Sequence, residues 1–355
     1  MKRRSFVKNS AILGSISLTG LPLNKQAEFL RTEKKESAPL CITMWDFSWL
    51  ERRWPGAGYE NWDKALDELV ERGYNAVRID AYPHLVATDP EKVWTLLPHW
   101  TVQDWGSPAI NKVQVQPSLN EFIAKCHDRK IKVGLSTWYR KDVDDIRMKI
   151  NSPETMAEQW IKTLESIHKA GLTDAILYTD LCNEWPGDAW APFFTNNPPE
   201  LTWGAWDTSN SINWMQKSID LVRNEFPEIP LCYSFDANDP LKFKDTNTEF
   251  LDFLEPHIWM VQANSGEFYK KAGYKYDLFE HESYNNLVKN GEKLYREKPG
   301  YWQNLLKDLI KSVAKVSEDT GHPLITTECW GVVDYKDWPL LSWDWVKELC
   351  KTGVL

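Results

Sequence analysis

Several arrangements that would indicate a metal or a cofactor are missing from this 355-residue chain. The six cysteines lack the CxxC or Cys/His spacing of a zinc site, and the seven histidines form no HxH or HExxH arrangement. A glycine-rich nucleotide fingerprint and a Gly-x-Ser-x-Gly nucleophile elbow are absent as well. We therefore expect no metal and no cofactor, and a metal-dependent barrel or a serine esterase is disfavoured.

Basic residues are outnumbered by acidic ones, 42 Lys and Arg against 51 Asp and Glu, which gives a formal net charge of -9. No basic block interrupts the part of the chain expected to fold, which argues against nucleic acid as the main partner. The sequence leaves the oligomeric state open.

The first residues are the exception to this charge pattern. Arg3 and Arg4 precede a modest apolar stretch, 11–23, which is too short to span a membrane. This resembles a twin-arginine export signal, with a basic amphipathic helix of the fold as the alternative. We expect a signal at 1–23, a polar linker at 24–38 and one folded domain at 39–355. The expected location is periplasmic or extracellular, with no membrane contact beyond the signal.

Tryptophan is abundant where other signals are missing. The chain has 20 Trp, 13 Tyr and 13 Phe, which is more than a core alone needs. Aromatic rings provide flat apolar faces, and sugars have matching C–H faces. The composition therefore suggests a carbohydrate as the ligand.

Strand-like runs alternate with amphipathic helical patterns along the whole chain. The pattern predicts strands at 40–45, 75–80, 131–137, 175–183, 230–235, 257–262 and 324–328. It predicts helices at 62–72, 118–128, 153–169, 209–226 and 301–319, a shorter one at 247–254 and a last one at 343–351. Repeated βα units of this kind imply a parallel sheet.

The connections between these elements favour one architecture. Links from helix to strand are short, whereas links from strand to helix are often long and rich in Trp. This asymmetry predicts an α/β fold of the (β/α)8 TIM-barrel type, whose sites lie at the carboxyl ends of the strands. A doubly wound open sheet is the alternative. Only seven strands are predicted, so either the C-terminus is truncated before an eighth strand, which we favour, or the first strand is miscounted.

Two of the predicted strands end in glutamate. Glu184 follows the fourth strand within the segment DLCNEW, and Glu328 ends the seventh strand within ITTECWG. In an eight-stranded barrel these ends face each other across the mouth. Cleavage of a glycosidic bond requires such a pair, because one carboxylic acid protonates the leaving oxygen while the other carboxyl attacks the anomeric carbon or activates water.

With these motifs the chain resembles a clan A glycoside hydrolase, close to the family 5 cellulase-like enzymes. The segment GYNAVRI, 73–79, resembles their second-strand motif, and the resemblance implies that Arg78 holds the nucleophile. The alternative is that Arg78 only pairs with Asp80 or Asp46 in a structural network. It implies Glu184 as the acid/base, Asn183 as a partner of the sugar 2-hydroxyl and Glu328 as the nucleophile of a retaining mechanism. His257-Ile-Trp259 stands where the family usually has His-x-Tyr.

The remaining candidate sugar contacts lie at or just beyond the strand ends. His257 is either a sugar or nucleophile contact or an ordinary core histidine, and Asp46 either binds hydroxyls or caps a turn. The segment 269–295 could cover the cleft or form a surface insertion. The tryptophans expected to bind substrate, each with plain packing as the alternative, are Trp45, Trp138, Trp185, Trp259 and Trp330.

Two functions remain open at this point. The first is a secreted hydrolase that acts on a β-linked polysaccharide or oligosaccharide with retention of configuration. The second is a non-catalytic sugar-binding barrel that keeps the cleft without turnover. Both strand-end glutamates are present, which favours the enzyme. Trp259 in place of tyrosine, and a third strand without the histidine that many relatives carry, keep the second hypothesis open.

Overall fold

Parallel strands separated by helices form the part of the chain that the computed structural model describes. These residues are 40–44, 48–99, 107, 109–195, 205–236, 242–275, 281–330, 348–349 and 351–352. The predicted signal, the predicted linker and most of the predicted last helix lie outside these ranges.

Ten strands are present in the described ranges. They are β1 Ile42–Met44, β2 Ala76–Asp80, β3 Val93–Leu96, β4 Asn111–Gln114, β5 Lys132–Ser136, β6 Ile176–Asp180, β7 Leu231–Cys232, β8 Ser234–Asp236, β9 Glu255–Trp259 and β10 Cys329–Trp330.

The α-helices alternate with these strands. They are α1 Ser48–Glu51, α2 Trp62–Glu71, α3 Pro83–Thr88, α4 Val115–Asp128, α5 Pro153–Lys169, α6 Pro192–Thr195, α7 Ser209–Glu225, α8 Lys242–Asp245, α9 Ala263–Ala272, α10 His281–Glu297 and α11 Pro299–Thr320. None of the helices within the described ranges is both long enough and apolar enough to cross a membrane.

Capping residues set the starts of three long helices. The side chains of Asn61, Ser152 and Thr208 accept hydrogen bonds from backbone N–H groups in the first turns of α2, α5 and α7. Gly321 ends α11 with φ 73°, a conformation that glycine adopts without steric cost. The helices predicted from periodicity at 62–72, 118–128, 153–169, 209–226 and 301–319 are therefore confirmed, with small shifts at their ends.

Strand order follows chain order, as expected for repeated βα units. One parallel sheet runs β1-β2-β5-β6-β7, and a second parallel sheet runs β8-β9-β10. Only Tyr233 separates β7 from β8, so one stretch of chain borders both sheets. The predicted parallel α/β fold is confirmed. No pairing among the described residues closes the sheet, so barrel closure stays a prediction.

Three predictions about local structure were wrong. The predicted helix at 247–254 is a series of turns and bends, and the short helix α8 precedes it. The predicted strand at 324–328 is reduced to an isolated bridge at Leu324, and regular pairing begins only at Cys329. The segment 269–295, expected to be a loop over the cleft or a surface insertion, contains the end of α9 and most of α10, because Leu287 and Tyr295 bury one face of an otherwise polar helix.

The long segment after β2 also has structure of its own. It contains α3 and the antiparallel hairpin β3–β4. This hairpin is attached to the core by Glu51, which is fully buried and pairs with Arg140 at 2.7 Å. Glu51 also accepts hydrogen bonds from Ser107 and Asn111. Because all of these polar groups are satisfied within the protein, we interpret the cluster as a structural anchor.

Gly134 makes room for a tyrosine at the centre of the sheet. It lies in register with Arg78 on β2 and Tyr178 on β6. A Cβ atom at this position would lie only 2.5 Å from Cζ of the Tyr178 ring, which is itself buried. The glycine is therefore required by the packing.

Gly134→Ala should accordingly destabilise the protein by about 1–3 kcal/mol, because the Tyr178 ring has to move within a packed core. Urea unfolding measures the loss. Gly300→Ala is the matched control: a Cβ there meets nothing within 4 Å, so this helix substitution should be neutral or slightly stabilising. Equal midpoints for the two variants would contradict the packing argument.

Candidate active site

Five residues predicted from the sequence meet at the carboxyl ends of the parallel strands. Arg78 lies in β2, Asn183 and Glu184 follow β6, His257 lies in β9 and Glu328 precedes β10. Ile258 pairs with Cys329 in a parallel register, which places His257 beside Glu328. In a parallel sheet, side chains at the same level point to the same face. The strand register therefore brings these two side chains together.

Glu184 and Glu328 lie close to one another. Side-chain oxygens of the two residues and a ring nitrogen of His257 all lie within 4.8 Å of each other. Both glutamates are largely buried, with 7% and 8% of their surfaces exposed. This oxygen–oxygen separation is shorter than the roughly 6.5–9.5 Å that leaves room for a water between the carboxyls of an inverting pair.

Arg78 binds several acidic and amide groups at once. Its Nη1 donates to Glu328 Oε1 at 2.7 Å, and its Nη2 donates to Asn183 Oδ1 at 2.7 Å and to Asp180 Oδ2 at 2.9 Å. Burial opposes the charge of Arg78, but the surrounding carboxylates hold its pKa above the ordinary value. The Trp138 ring lies against the guanidinium, 4.5 Å from its carbon. The alternative that Arg78 pairs with Asp80 is wrong.

Asp80 binds backbone N–H groups instead of Arg78. Its carboxyl oxygens accept hydrogen bonds from the backbone N–H groups of Tyr82 and Trp138. Burial raises the pKa of Asp80 to about 7, although these backbone donors oppose the shift.

Ser234 fixes the turn that carries Glu184. Glu184 has φ 43°, a left-handed conformation that is uncommon for residues other than glycine. Its N–H donates to Ser234 Oγ at 2.9 Å, and the N–H of Trp185 donates to the Ser234 carbonyl at 2.9 Å. The Ser234 hydroxyl in turn donates to Asp180 Oδ2 at 2.9 Å. Ser234 and Asp180 hold the site together, but neither was predicted from the sequence as a site residue.

His257 lies between acidic groups on both sides of its ring. Nδ1 is 2.8 Å from Glu184 Oε1 and 3.4 Å from Glu328 Oε2. Nε2 is 3.4 Å from Glu255 Oε1, and the ring is fully buried. Burial alone would lower the pKa of His257, but the neighbouring Glu328 and Glu255 more than offset it, so the pKa is raised well above its ordinary value.

Opposing effects also act on the acidic groups. Burial raises the pKa of Glu328 and the nearby Glu184 adds to this, whereas His257 and Arg78 oppose it. Burial likewise raises the pKa of Asp180, against the effect of Arg78. Positive charge in the site is thus what allows these carboxyls to ionise.

The tryptophans predicted to bind sugar fall into different environments. Trp259 and Trp330 pair in register on β9 and β10, two residues beyond His257 and Glu328, and both are partly exposed. Trp138 and Trp185 are only 2% and 1% exposed. Burial argues against a sugar-stacking role for these two, because Trp138 covers Arg78 and Trp185 packs among core aromatics. The predicted contacts Trp45 and Asp46 lie outside the described residues.

Two groups of acidic, histidine and cysteine side chains are compact enough to be compared with metal sites. Glu184, His257 and Glu328 are close enough together to hold an ion. His257 Nδ1 already lies at hydrogen-bond distance from Glu184 Oε1, 2.8 Å, and Arg78 already binds Glu328. A second group, Asp180, Cys232 and Glu255, lies in the core, where Asp180 already binds Arg78. Neither group favours a metal over the ion pairs that the structure shows.

An α/β fold with parallel strands, carrying a glutamate pair at their carboxyl ends, defines a clan A glycoside-hydrolase-like protein. Residues 42–355 match the family described as "Cellulase-like: Sugar-binding cellulase-like". The chain belongs to this sugar-binding cellulase-like family. The resemblance to family 5 cellulase-like proteins drawn from the sequence is therefore confirmed.

Several solved structures are similar to this chain. The chain is 58% identical to a candidate glycoside hydrolase from Parabacteroides distasonis, with a TM-score of 0.87 over 89% of this chain and 83% of that one. It is 14% identical to an endocellulase from Pyrococcus horikoshii solved with cellotetraose, with a TM-score of 0.45 over 89% and 93% of the two chains. It is 11% identical to a glycoside hydrolase of family 5 from Bacteroides vulgatus, with a TM-score of 0.49 over 90% and 57%. A comparison with curated proteins gives no match.

Proposed function

We propose that this protein is a secreted retaining glycoside hydrolase that acts on β-linked polysaccharide or oligosaccharide. The observation that carries the proposal is the proximity of Glu184 and Glu328, whose oxygens come within 4.8 Å while Arg78 binds Glu328. Retaining enzymes hold their two carboxyls at about 5–5.5 Å, so that one of them can reach the anomeric carbon directly. The family of this chain and its P. distasonis relative support the same class of reaction.

The first step forms a covalent intermediate. An oxygen of Glu328 attacks the anomeric carbon, the bond from that carbon to the leaving oxygen breaks, and Glu184 transfers its proton to that oxygen. Arg78 occupies Oε1 of Glu328, so we assign the attack to Oε2. Asn183 has its Oδ1 bound to Arg78, so its amide NH2 is the group that we assign to the sugar 2-hydroxyl.

The second step releases the sugar. Glu184, now a carboxylate, removes a proton from water while the water oxygen attacks the anomeric carbon and displaces the Glu328 carboxylate. Two inversions at the same carbon retain the β configuration. Trp259 and Trp330 are the aromatic faces that we assign to sugar stacking, because they lie just beyond the carboxyl pair and remain partly exposed. The export signal at 1–23, and contacts from Trp45 and Asp46, remain predictions of the sequence.

A mechanism-based inhibitor tests this proposal most directly. Activated 2-deoxy-2-fluoro-β-glycosides of several common sugars should leave one sugar per chain, and mass spectrometry of the digest should place it on Glu328. Glu328→Gln should take up no label, whereas Glu158→Gln, which changes a glutamate on α5 that is 62% exposed, should be labelled like the wild type. Wild-type protein that binds glycans from a broad panel, yet is neither labelled nor able to cleave any of them, would instead be a non-catalytic sugar-binding barrel.

A further inference from the structure

A carboxylate lies beneath the proposed catalytic pair, where no substrate can reach it. Glu255 begins β9, two residues before His257, so both side chains point to the same face of the strand. Glu255 is fully buried, and its Oε1 lies 3.4 Å from His257 Nε2. The hydroxyl of Thr327 donates to the same oxygen. Glu255 therefore contacts the site through the histidine.

Acidic side chains outnumber cations around this site. Four acidic side chains, those of Asp180, Glu184, Glu255 and Glu328, surround the single guanidinium of Arg78. The guanidinium nitrogens already bind Asp180 and Glu328 directly. Arg78 also favours the charged form of Glu255, but it shares its charge with Asp180 and Glu328, so a second cation beside Glu255 reduces the cost of burying that carboxylate. The ring of His257, which has acidic groups at both nitrogens, is in position to supply it.

We propose that Glu255 is a positioning residue that keeps His257 doubly protonated, so that its Nδ1–H lies between Glu184 and Glu328. This inference rests on the proposed function of the two glutamates. With Nε2–H directed at Glu255, the Nδ1–H donates to Glu184 Oε1 at 2.8 Å and faces Glu328 Oε2 at 3.4 Å. The imidazolium reduces the repulsion between the two carboxyls and fixes the oxygens that act in each step.

Charged groups from every neighbouring strand act on the protonation of His257. They are Arg78 of β2, Asp180 and Glu184 of β6 and its following turn, Asp236 in register on β8, Glu255 of β9 itself and Glu328 ahead of β10. Glu255 is the member of this set that approaches Nε2. Its carboxylate favours the charged ring, so neutralising Glu255 should let the proton leave at lower pH.

Nuclear magnetic resonance of protein with 15N-labelled histidine tests this without any turnover. The signals of His257 are assigned by their loss in His257→Gln. In the wild type, both ring nitrogens should have imidazolium shifts at pH 7. Glu255→Gln should lower the titration midpoint of the ring by about 1–3 pH units. Glu255→Asp, which keeps the charge, should restore most of the lost midpoint, and Glu158→Gln, at a glutamate that is 62% exposed, should leave the midpoint unchanged.

Hydrolysis provides a second readout. Because a neutral His257 is no longer a cation between the two carboxyls, the basic limb of the kcat/KM profile should shift in Glu255→Gln and stay unchanged in Glu158→Gln. A neutral His257 in the wild type at pH 7, or a midpoint that does not move in Glu255→Gln, would overturn the proposal. If Glu255→Gln fails to fold, the wild-type titration alone decides. A wild type without hydrolysis would reject the proposed enzyme, while the ring titration would still decide the role of Glu255.

Discussion

Replacement of Glu328 by glutamine should lower kcat/KM for a β-linked oligosaccharide on the order of 10⁴-fold or more. The amide cannot attack the anomeric carbon, so no covalent intermediate forms. Its carbonyl oxygen can still accept the hydrogen bond that Arg78 Nη1 donates to Oε1 at 2.7 Å, so the fold and the cleft should survive. Initial rates measure the loss, and calorimetric titration with the same oligosaccharide should show that binding is retained.

Glu184 provides the matched comparison, because its proposed role depends on the leaving group. Glu184→Ala should lower cleavage of an unactivated glycan by about 10²–10⁴-fold. It should cost far less with an aryl glycoside whose phenol leaves without a proton. Azide, which attacks without base catalysis, should then restore turnover of that aryl glycoside and give the β-glycosyl azide. An equal loss with both kinds of leaving group would contradict the assignment of Glu184, and substantial turnover by Glu328→Gln would contradict that of Glu328.

The central residues of the candidate site could be predicted because their positions follow from the strand pattern. Asn183 and Glu184 come at the end of a largely apolar strand-like run. Glu328 ends the run LITTE, which begins with the apolar residues Leu324 and Ile325. Parallel strands place their carboxyl ends at the same edge, so polar residues at those ends must converge. Arg78 is different, because a charged residue inside an apolar strand has to find a partner across the sheet.

The supporting residues were harder to predict because each lies inside a strand or just before a recognised position. Glu255 precedes His257 by two residues, and the period of a strand places them on one face. This spacing could have indicated the role of Glu255. A second ionisable residue on the same strand face as His257 must have a partner if it is buried, and the histidine is the nearest candidate in sequence. Ser234 gives no such signal, because its contacts with Glu184 depend on the turn after β6.

Two tryptophans predicted to stack on sugar, Trp138 and Trp185, are buried because elements distant in the sequence pack over them. Trp138 and Trp185 lie near strand ends, where an exposed ring could stack on a sugar. The ring of Trp185 instead contacts Phe194 of α6 and Trp214 of α7, which lie farther along the chain. Local sequence does not show which elements cover a ring. The same limit applies to α10, whose polar sequence forms a helix because one apolar face packs on its neighbours.

Arg78→Met should destabilise the protein by about 3–5 kcal/mol, with the larger loss at higher pH. Methionine fills much of the volume but leaves Asp180, Glu255 and Glu328 without the guanidinium that favours their charged forms. The pKa values of Asp180 and Glu328, already raised in the folded protein, then rise further above those in the unfolded chain, and Glu255 loses the largest effect that lowers its pKa. Such carboxyls bind more protons when folded, so stability falls as the pH rises above about 4, where unfolded carboxyls ionise. Urea unfolding at pH 5 and at pH 8 measures the difference.

Arg129→Met is the control, because it removes the same charge from the surface. Arg129 bridges Asp63 and Asp67, whose side chains are 53% and 61% exposed and remain solvated without it. This variant should cost about 0–1 kcal/mol at both pH values. Arg78→Lys, which keeps the charge but not the planar fork that reaches Asn183, Asp180 and Glu328 together, should lie between the two. A loss for Arg78→Met that does not grow from pH 5 to pH 8 would show that shape rather than charge determines the role of Arg78. Asp180, Glu255 and Glu328 would then be ionised to the same extent with and without it, contrary to the network that the distances describe.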